Sequence, residues 1–157
     1  MQFFVLNAKD FVILKRNDTM NIIGAFDRSR VSELEPRKNS VLISITSIDS
    51  THPHIKSGWH DVLYLKFDDV EGRSSELGNS ANLITDKDAK QILNFVVKNI
   101  DCDFFINCDA GISRSTGVLV ALELIFNGND VSHSFQYHNR FVKNRIKDTW
   151  FKTIWEK

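Results

Sequence analysis

The chain has 157 residues, of which 42% are apolar, and both values are ordinary for a protein that folds as a single domain. Its 20 lysines and arginines balance its 20 aspartates and glutamates, so the net charge gives no indication of a nucleic-acid or acidic membrane partner. No stretch approaches the roughly 20 apolar residues of a membrane span, and the apolar start is too short for an export signal. We therefore expect one domain over residues 1–157, located in the cytoplasm, with no nucleic-acid or membrane partner.

Hydrophobic patterning in the first half of the chain predicts strands. Residues 3–6 and 11–14 are short apolar runs. Residues 41–46 place three aliphatic side chains on one face. Residues 62–67 alternate in the same way, with Leu63, Leu65 and Phe67 on one face. These four runs are the candidate strands that precede the acidic segment described next.

Two acidic residues, Asp68 and Asp69, follow the last of these strands. They open a polar segment that extends to Ile84 and contains Gly72 and Gly78. Loops longer than roughly 12 to 15 residues are commonly lids or binding loops. The two aspartates therefore have two interpretations: a catalytic acid carried by a lid, or an acidic pair that only keeps a strand end solvated.

Helices and a strand alternate in the second half. Apolar spacing predicts a helix over Asp86–Lys98, a buried strand at residues 104–106 and an apolar helix over residues 118–126. A turn is expected at residues 127–130, and the remainder from Val131 is expected to be helical in two or three pieces. This alternation predicts an α/β fold of one domain and three layers, in which helices flank a central, mostly parallel, twisted sheet.

The most informative segment is NCDAGISRSTGV at residues 107–118, which places Cys108 six residues before Arg114. A loop of this length can turn its backbone N–H groups inward, and the N-terminus of the following helix adds positive potential to the same space. A phosphate dianion fits such a space, because a guanidinium can bind two of its oxygens at once. A cysteine beside a cation at a helix N-terminus is typically a good nucleophile. Gly111 lets the loop approach its ligand closely, and Ser115 can donate a hydrogen bond to the sulfur.

Chance explains this segment poorly. The spacing of Cys108 and Arg114 alone would arise about one time in ten in a chain of this composition. With Gly111 and Ser115 also required, the chance falls to about 10⁻³, so we interpret the segment as functional. Its position after a buried strand and before an apolar helix places the loop at the carboxyl end of a central strand.

On these residues the chain resembles the protein tyrosine phosphatase superfamily, and in particular the small dual-specificity-like cysteine phosphatases. Their signature is HCxxGxxR followed by serine or threonine, and the match covers Cys108, Gly111, Arg114 and Ser115. The whole run CDAGISRS is similar to the AGxSRS form of that family. One departure is Asn107, which stands where the family usually has histidine. Since asparagine can still form hydrogen bonds, we expect an active enzyme.

The resemblance implies roles for further residues. The phosphate-binding loop would comprise Asp109, Ala110, Gly111, Ile112, Ser113 and Arg114. The leaving oxygen needs an acid, which in the family is an aspartate on a mobile loop after a strand. The family pattern aligns best with Asp69, and Asp68 is the second candidate.

The implied reaction is hydrolysis of a phosphomonoester through a phosphocysteine, without metal or cofactor. The loop adds the acidic Asp109 rather than a lysine or arginine, which favours a phosphorylated protein or peptide over a more highly charged substrate. Phosphotyrosine is the leading candidate, with phosphoserine and phosphothreonine as further candidates. His52 and His54 lack further ligands at a recognisable spacing, so they do not indicate a metal site.

Two alternatives stay open. The chain could be a weak or inactive phosphate-binding relative, although the cysteine, the arginine and an acid are all present. It could also hydrolyse a non-protein phosphate, such as a phosphoinositide, a nucleotide or an RNA 5′-phosphate. The second cysteine, Cys102, is expected to be passive, because an extended segment would hold its sulfur up to roughly 20 Å from that of Cys108.

Overall fold

The computed structural model of the protein describes residues 19–70 and 82–155. The strands predicted at residues 3–6 and 11–14 lie outside the described residues, as do residues 71–81 of the predicted loop. In the described part of the chain, no helix is both long and apolar enough to cross a membrane.

The described residues contain four parallel strands, which form one sheet: β1 (Asn21–Phe26), β2 (Ser40–Thr46), β3 (Asp61–Lys66) and β4 (Asp103–Asn107). Their order across the sheet is β1-β4-β2-β3. The strands predicted from residues 41–46, 62–67 and 104–106 are therefore confirmed. So is the α/β class with a parallel sheet, and β4 lies inside the sheet rather than at an edge.

The helices are α1 (Arg28–Glu33), α2 (Asp86–Lys98), α3 (Arg114–Leu122) and α4 (Arg140–Trp155). Helix α2 has the predicted bounds, because Thr85 and Asp88 form a capping box at its start. The apolar helix predicted at residues 118–126 begins earlier, at Arg114, and continues as a π-helical turn over Glu123–Asn127. A short 3₁₀ turn at Ser132–Ser134 precedes α4.

Both faces of the sheet are covered, which gives three layers. Alternate residues of β2 and β4 pack toward α2, α3 and α4, and this core is fully buried: Val41, Ile43, Ile45, Phe104, Ile106, Ile92, Leu93, Val118, Leu122 and Ile146. On the opposite face Phe105 packs against Phe26 and Trp59, with ring centroids 5.7 and 5.3 Å away. Arg30 of α1 lies over the Phe26 ring at 5.5 Å.

Sequence patterning did not predict β1 or α1. Within the described residues strand β1 pairs with β4 alone, and its register with β4 shifts between Ile22 and Gly24. Glycine in a strand weakens the apolar pattern and often marks such an irregularity. Helix α1 has six residues and is capped by Asp27, whose side chain accepts from the backbone N–H of Arg30 at 2.8 Å. Both elements matter because the candidate site lies where β1 ends and α1 begins.

Candidate active site

Cys108 follows β4 directly and lies at the base of the loop that leads into α3. Cys108 is 1% exposed, and its backbone N–H donates to the carbonyl of Phe26 at 3.2 Å. The backbone N–H of Gly111 donates to the sulfur at 3.2 Å, and the Ser115 hydroxyl oxygen is 3.1 Å from it. The structure thus brings together Cys108, Gly111 and Ser115, as the sequence predicted.

Gly111 is needed where the loop passes the end of β1. Its φ is +71°, and a Cβ built there would lie 2.6 Å from the backbone nitrogen of Asp27 and from the carbonyl carbon of Phe26. The next contact along the same edge is a hydrogen bond from the backbone N–H of Arg28 to the carbonyl of Asp109, at 3.2 Å. The loop is therefore held in place by backbone contacts with the β1–α1 connection.

Arg114 begins α3 and is 5% exposed. Its Nη1 donates to the Ser47 hydroxyl at 3.0 Å and to the carbonyl of Phe67 at 2.9 Å, and its Nη2 donates to Oδ2 of Asp109 at 3.1 Å. Its Nε is buried and has no hydrogen-bond partner among the described residues. A buried guanidinium N–H without a partner costs free energy unless an acceptor meets it. The edge formed by Nε and Nη2 is thus suited to two oxygens of an anion.

Asp109 is bound to two arginines. Its Oδ1 accepts from Nη1 of Arg28 at 2.9 Å and from the hydroxyl of Thr46 at 2.7 Å, and its Oδ2 accepts from Arg114. Partial burial by itself would raise the pKa of Asp109, but the hydrogen bonds from Arg28, Thr46 and Arg114 outweigh it and lower the pKa to about 2. The Asp109 side chain is therefore a carboxylate at neutral pH, and it fixes Arg114 from one side.

The two candidate acids have different surroundings. Asp69 lies at the loop: its Oδ1 accepts from the Ser113 hydroxyl at 2.7 Å and from Nδ2 of Asn139 at 2.8 Å. Asp68 instead accepts from two backbone N–H groups, that of Ile48 at 3.2 Å and that of Asn82 at 3.0 Å. The Asn82 and Ile48 hydrogen bonds lower the pKa of Asp68.

Asp68 therefore ties together the two ends of the segment that spans residues 69–81. Its own backbone N–H also donates to the carbonyl of Asn82, at 2.7 Å. Of the two carboxylates, the one that contacts the loop between Cys108 and Arg114, called the nucleophile loop below for its proposed role, is that of Asp69.

Asn107 is fully buried in β4. Its Nδ2 makes a long hydrogen bond of 3.5 Å to the carbonyl of Cys108, and its Oδ1 has no partner among residues 19–70 and 82–155. The Ser44 hydroxyl, beside it in the register of β2 and β4, is likewise buried and without a partner in that part of the chain. Asn107 thus supports the loop backbone, and no hydrogen bond joins its side chain to the Cys108 sulfur.

Four residues of the site had no prediction from the sequence: Arg28, Thr46, Ser47 and Asn139. Asn139 is fully buried, and its Oδ1 accepts from the backbone N–H of Val142 at 3.0 Å, as in a helix N-cap. An asparagine just before a helical pattern was therefore a signal that could have located this cap, though not its contact with Asp69. No comparable local signal marks Arg28, Thr46 or Ser47.

Among the described residues, no group of three or more histidine, cysteine, aspartate or glutamate side chains could hold a metal ion. Comparison of the chain with family models, with curated proteins and with solved structures finds no match.

Proposed function

We propose that this protein is a metal-independent cysteine phosphatase that hydrolyses phosphomonoesters through a phosphocysteine. The observation that carries the proposal is the arrangement around Arg114. Its buried Nε has no partner among the described residues, and Nη2, on the same edge, has a second hydrogen besides the one that it donates to Asp109. The Cys108 sulfur lies in the loop that ends at this arginine, with the Gly111 N–H directed at it and the Ser115 hydroxyl oxygen 3.1 Å away.

The first chemical step is an in-line displacement. The Cys108 thiolate forms a bond to phosphorus while the bond from phosphorus to the leaving oxygen breaks. Asp69 gives its proton to that oxygen, so the product leaves as a neutral alcohol or phenol. Arg114 and the loop N–H groups bind the equatorial oxygens, whose charge they stabilise throughout.

The second step returns the enzyme to its starting form. Asp69, now a carboxylate, takes a proton from water while the water oxygen attacks phosphorus, and the sulfur–phosphorus bond breaks to release the thiolate and phosphate. Ser115 supports this step because its hydroxyl, 3.1 Å from the sulfur, can donate to the departing thiolate. No step requires a metal ion.

We propose phosphorylated proteins or peptides as substrates, with phosphotyrosine foremost and phosphoserine and phosphothreonine as further candidates. The loop between Cys108 and Arg114 carries no lysine or arginine, and Asp109 offsets part of the positive charge of Arg28 and Arg114. A substrate with several phosphates would meet less compensating charge there. Ile112, at 54% exposure, offers an apolar contact beside the loop for an aromatic ring.

We also propose a cytoplasmic location, on the chemistry of the nucleophile. The reaction needs a free thiol at Cys108, and thiols stay reduced in the cytosol. Both cysteines of the chain are free.

A phosphate-binding module without turnover is the second candidate. Asn107 favours it, because its side chain makes only one long hydrogen bond to the loop and leaves Oδ1 unpaired among the described residues. Such a module would bind phosphate or phosphopeptides through the same Arg114 edge.

The test is hydrolysis of p-nitrophenyl phosphate with EDTA present. We expect turnover by the wild type, none by Cys108→Ser, and a loss of about 100-fold in kcat for Asp69→Asn. Cys102→Ser is the matched control and should behave as the wild type. Turnover that persists in Cys108→Ser would contradict the proposed nucleophile. A wild type that binds phosphate without turnover would favour the binding module.

A further inference from the structure

We propose that Asn139 and Ser113 determine which oxygen of Asp69 carries the catalytic proton, so that Oδ1 stays an acceptor and Oδ2 is the proton donor. The inference rests on the proposed function, since it concerns the acid of that reaction. It assigns positioning roles to a residue in the segment before α4 and to a hydroxyl of the nucleophile loop.

The assignment follows from counting hydrogens. The Ser113 hydroxyl has one hydrogen, and it is directed at Oδ1 of Asp69 across 2.7 Å. Nδ2 of Asn139 has two hydrogens, of which one is directed at the same Oδ1 across 2.8 Å and the other at the carbonyl of Val70 across 3.1 Å. A proton on Oδ1 would require the Ser113 hydroxyl hydrogen to turn away from that oxygen, whereas a proton on Oδ2 leaves both hydrogen bonds in place. We therefore assign the proton of the acid form to Oδ2.

The orientation of the Asn139 amide is fixed by backbone groups. Its Oδ1 accepts from the backbone N–H of Val142 at 3.0 Å, and an N–H can only donate. Its Nδ2 faces the carbonyl of Val70, which can only accept. A flipped amide would place two donors together at one end and two acceptors at the other, so the donor must face Asp69.

The backbone around Asn139 holds the amide in place. Its N–H donates to the carbonyl of Ser113 at 2.9 Å, and its own carbonyl accepts from the N–H of Lys143 at 3.0 Å. A Cβ at Gly117 of α3 would lie 2.7 Å from that same carbonyl, so only glycine permits this approach of the two backbones. The nucleophile loop, the start of α4 and the carboxylate of Asp69 are therefore joined through one asparagine.

In the proposed reaction the two oxygens of Asp69 therefore have different roles. When Oδ2 gives its proton to the leaving oxygen, the negative charge that develops on the carboxylate is stabilised at Oδ1 by the two donors. In the second step Oδ2 is again the oxygen that takes a proton, this time from water. Asn139 and Ser113 thus orient the acid without touching the substrate.

The test uses two substrates that differ in their need for an acid. Phenolate leaves poorly without a proton, whereas p-nitrophenolate leaves readily, so a defect in proton donation lowers turnover of phenyl phosphate more. Asn139→Ser removes the amide donor and keeps a side chain that caps a helix as well as asparagine does. We expect kcat/KM for phenyl phosphate to fall about 10-fold to 100-fold and kcat/KM for p-nitrophenyl phosphate to fall less than about 5-fold. The comparison uses kcat/KM because this constant reports the first step, whereas hydrolysis of the phosphocysteine is common to both substrates.

Ser113→Ala provides the second variant, because the hydroxyl is exposed and its loss should leave the fold intact. We expect the same selective loss, smaller in size. The matched controls are Asn144→Ser on the exposed side of α4 and Ser132→Ala, whose hydroxyl donates to the Asp130 carboxylate at 2.6 Å. Both should keep the wild-type ratio of the two kcat/KM values, and urea unfolding should report the stability of each variant.

The outcomes separate the proposal from the function it rests on. If both variants lose kcat/KM for the two substrates by the same factor, or lose none, the positioning role is overturned while the phosphatase function stands. If the wild type hydrolyses neither substrate in a Cys108-dependent manner, the function itself fails, and the role of Asp69 fails with it. If Asn139→Ser does not fold, the ratio measured for Ser113→Ala decides alone.

Discussion

Asp109 and Arg114, which lie in the same loop, form an ion pair in which Oδ2 of the carboxylate accepts from Nη2 at 3.1 Å. The proposed phosphate-binding cation therefore has a protein anion beside it before any ligand binds. The pairing orients the guanidinium, because Nη1 is bound on its other side to Ser47 and Phe67. It also reduces the net positive charge that a phosphate would meet, which is one basis for expecting a singly phosphorylated substrate.

Asp109→Asn should lower stability in a pH-dependent manner. The pKa of Asp109 is lowered from its ordinary value of 3.8 to about 2, so the folded state favours the carboxylate. That stabilisation is complete above the unfolded pKa and is lost as pH falls from about 4 toward 2. The free energies of unfolding of wild type and variant, measured in urea, should therefore differ near neutral pH and converge only as pH approaches about 2. A difference that stays constant down to pH 2 would mean that the carboxylate charge is unimportant to the fold.

Arg114→Lys should reduce kcat/KM by about 100-fold or more and weaken phosphate binding, because an ammonium cannot present two parallel N–H groups to two oxygens. Steady-state kinetics and competition by inorganic phosphate measure both effects. Arg145→Lys is the matched control: its partner Asp86 is 2.9 Å away at an exposed site, where a salt bridge contributes little. Near-full activity of Arg114→Lys would show that the two-oxygen contact is not required.

Gly111→Ala should destabilise the protein more than Gly128→Ala. Both glycines have a positive φ, +71° and +70°, so alanine incurs a similar backbone penalty of about 1 kcal/mol at each. A Cβ at Gly111 would also lie 2.6 Å from backbone atoms of Phe26 and Asp27, whereas no atom lies within 4 Å of one at Gly128. The difference between the two unfolding free energies therefore measures the contact of the loop with the β1–α1 connection. Equal values would mean that the loop can move away at no cost.

Asp68→Asn should keep most of the turnover that Asp69→Asn loses. Both oxygens of Asp68 accept backbone N–H groups, so its substitution loosens the ends of the segment over residues 69–81 rather than removing the acid. We expect kcat of Asp68→Asn to stay within about 5-fold of the wild type, against a loss of about 100-fold for Asp69→Asn. The reverse order for these variants would identify Asp68 as the acid. The comparison is best made with phenyl phosphate, whose leaving group needs a proton.

Regular local patterns made much of the fold predictable. The alternation in residues 41–46 and the capping residues Thr85 and Asp88 act within a few positions of each other, and the elements they predict are those observed. Strand β1 lacks this regularity, because Gly24 interrupts it and Ile23 is 46% exposed. Its place in the sheet depends on pairing with β4, which lies far along the chain.

The candidate site likewise has a part that local sequence patterns predict and a part that they do not. Cys108, Gly111 and Arg114 occur within one short segment, so their spacing predicted that they converge. The contact between Asp69 and Asn139 joins positions separated by 70 residues, and no local pattern specifies such a pair. Long-range pairs of this kind depend on how helices and strands pack, which local spacing does not determine.

The placement of the two cysteines has a consequence for oxidation. Cys102 precedes β4 and Cys108 follows it, so the strand holds the two sulfurs roughly 20 Å apart, beyond the reach of a disulfide. If peroxide converts the Cys108 thiolate to a sulfenic acid, the chain itself offers no second thiol to trap that state as a disulfide. Recovery then depends on a small thiol or another protein, and without one the sulfur proceeds to irreversible sulfinic acid.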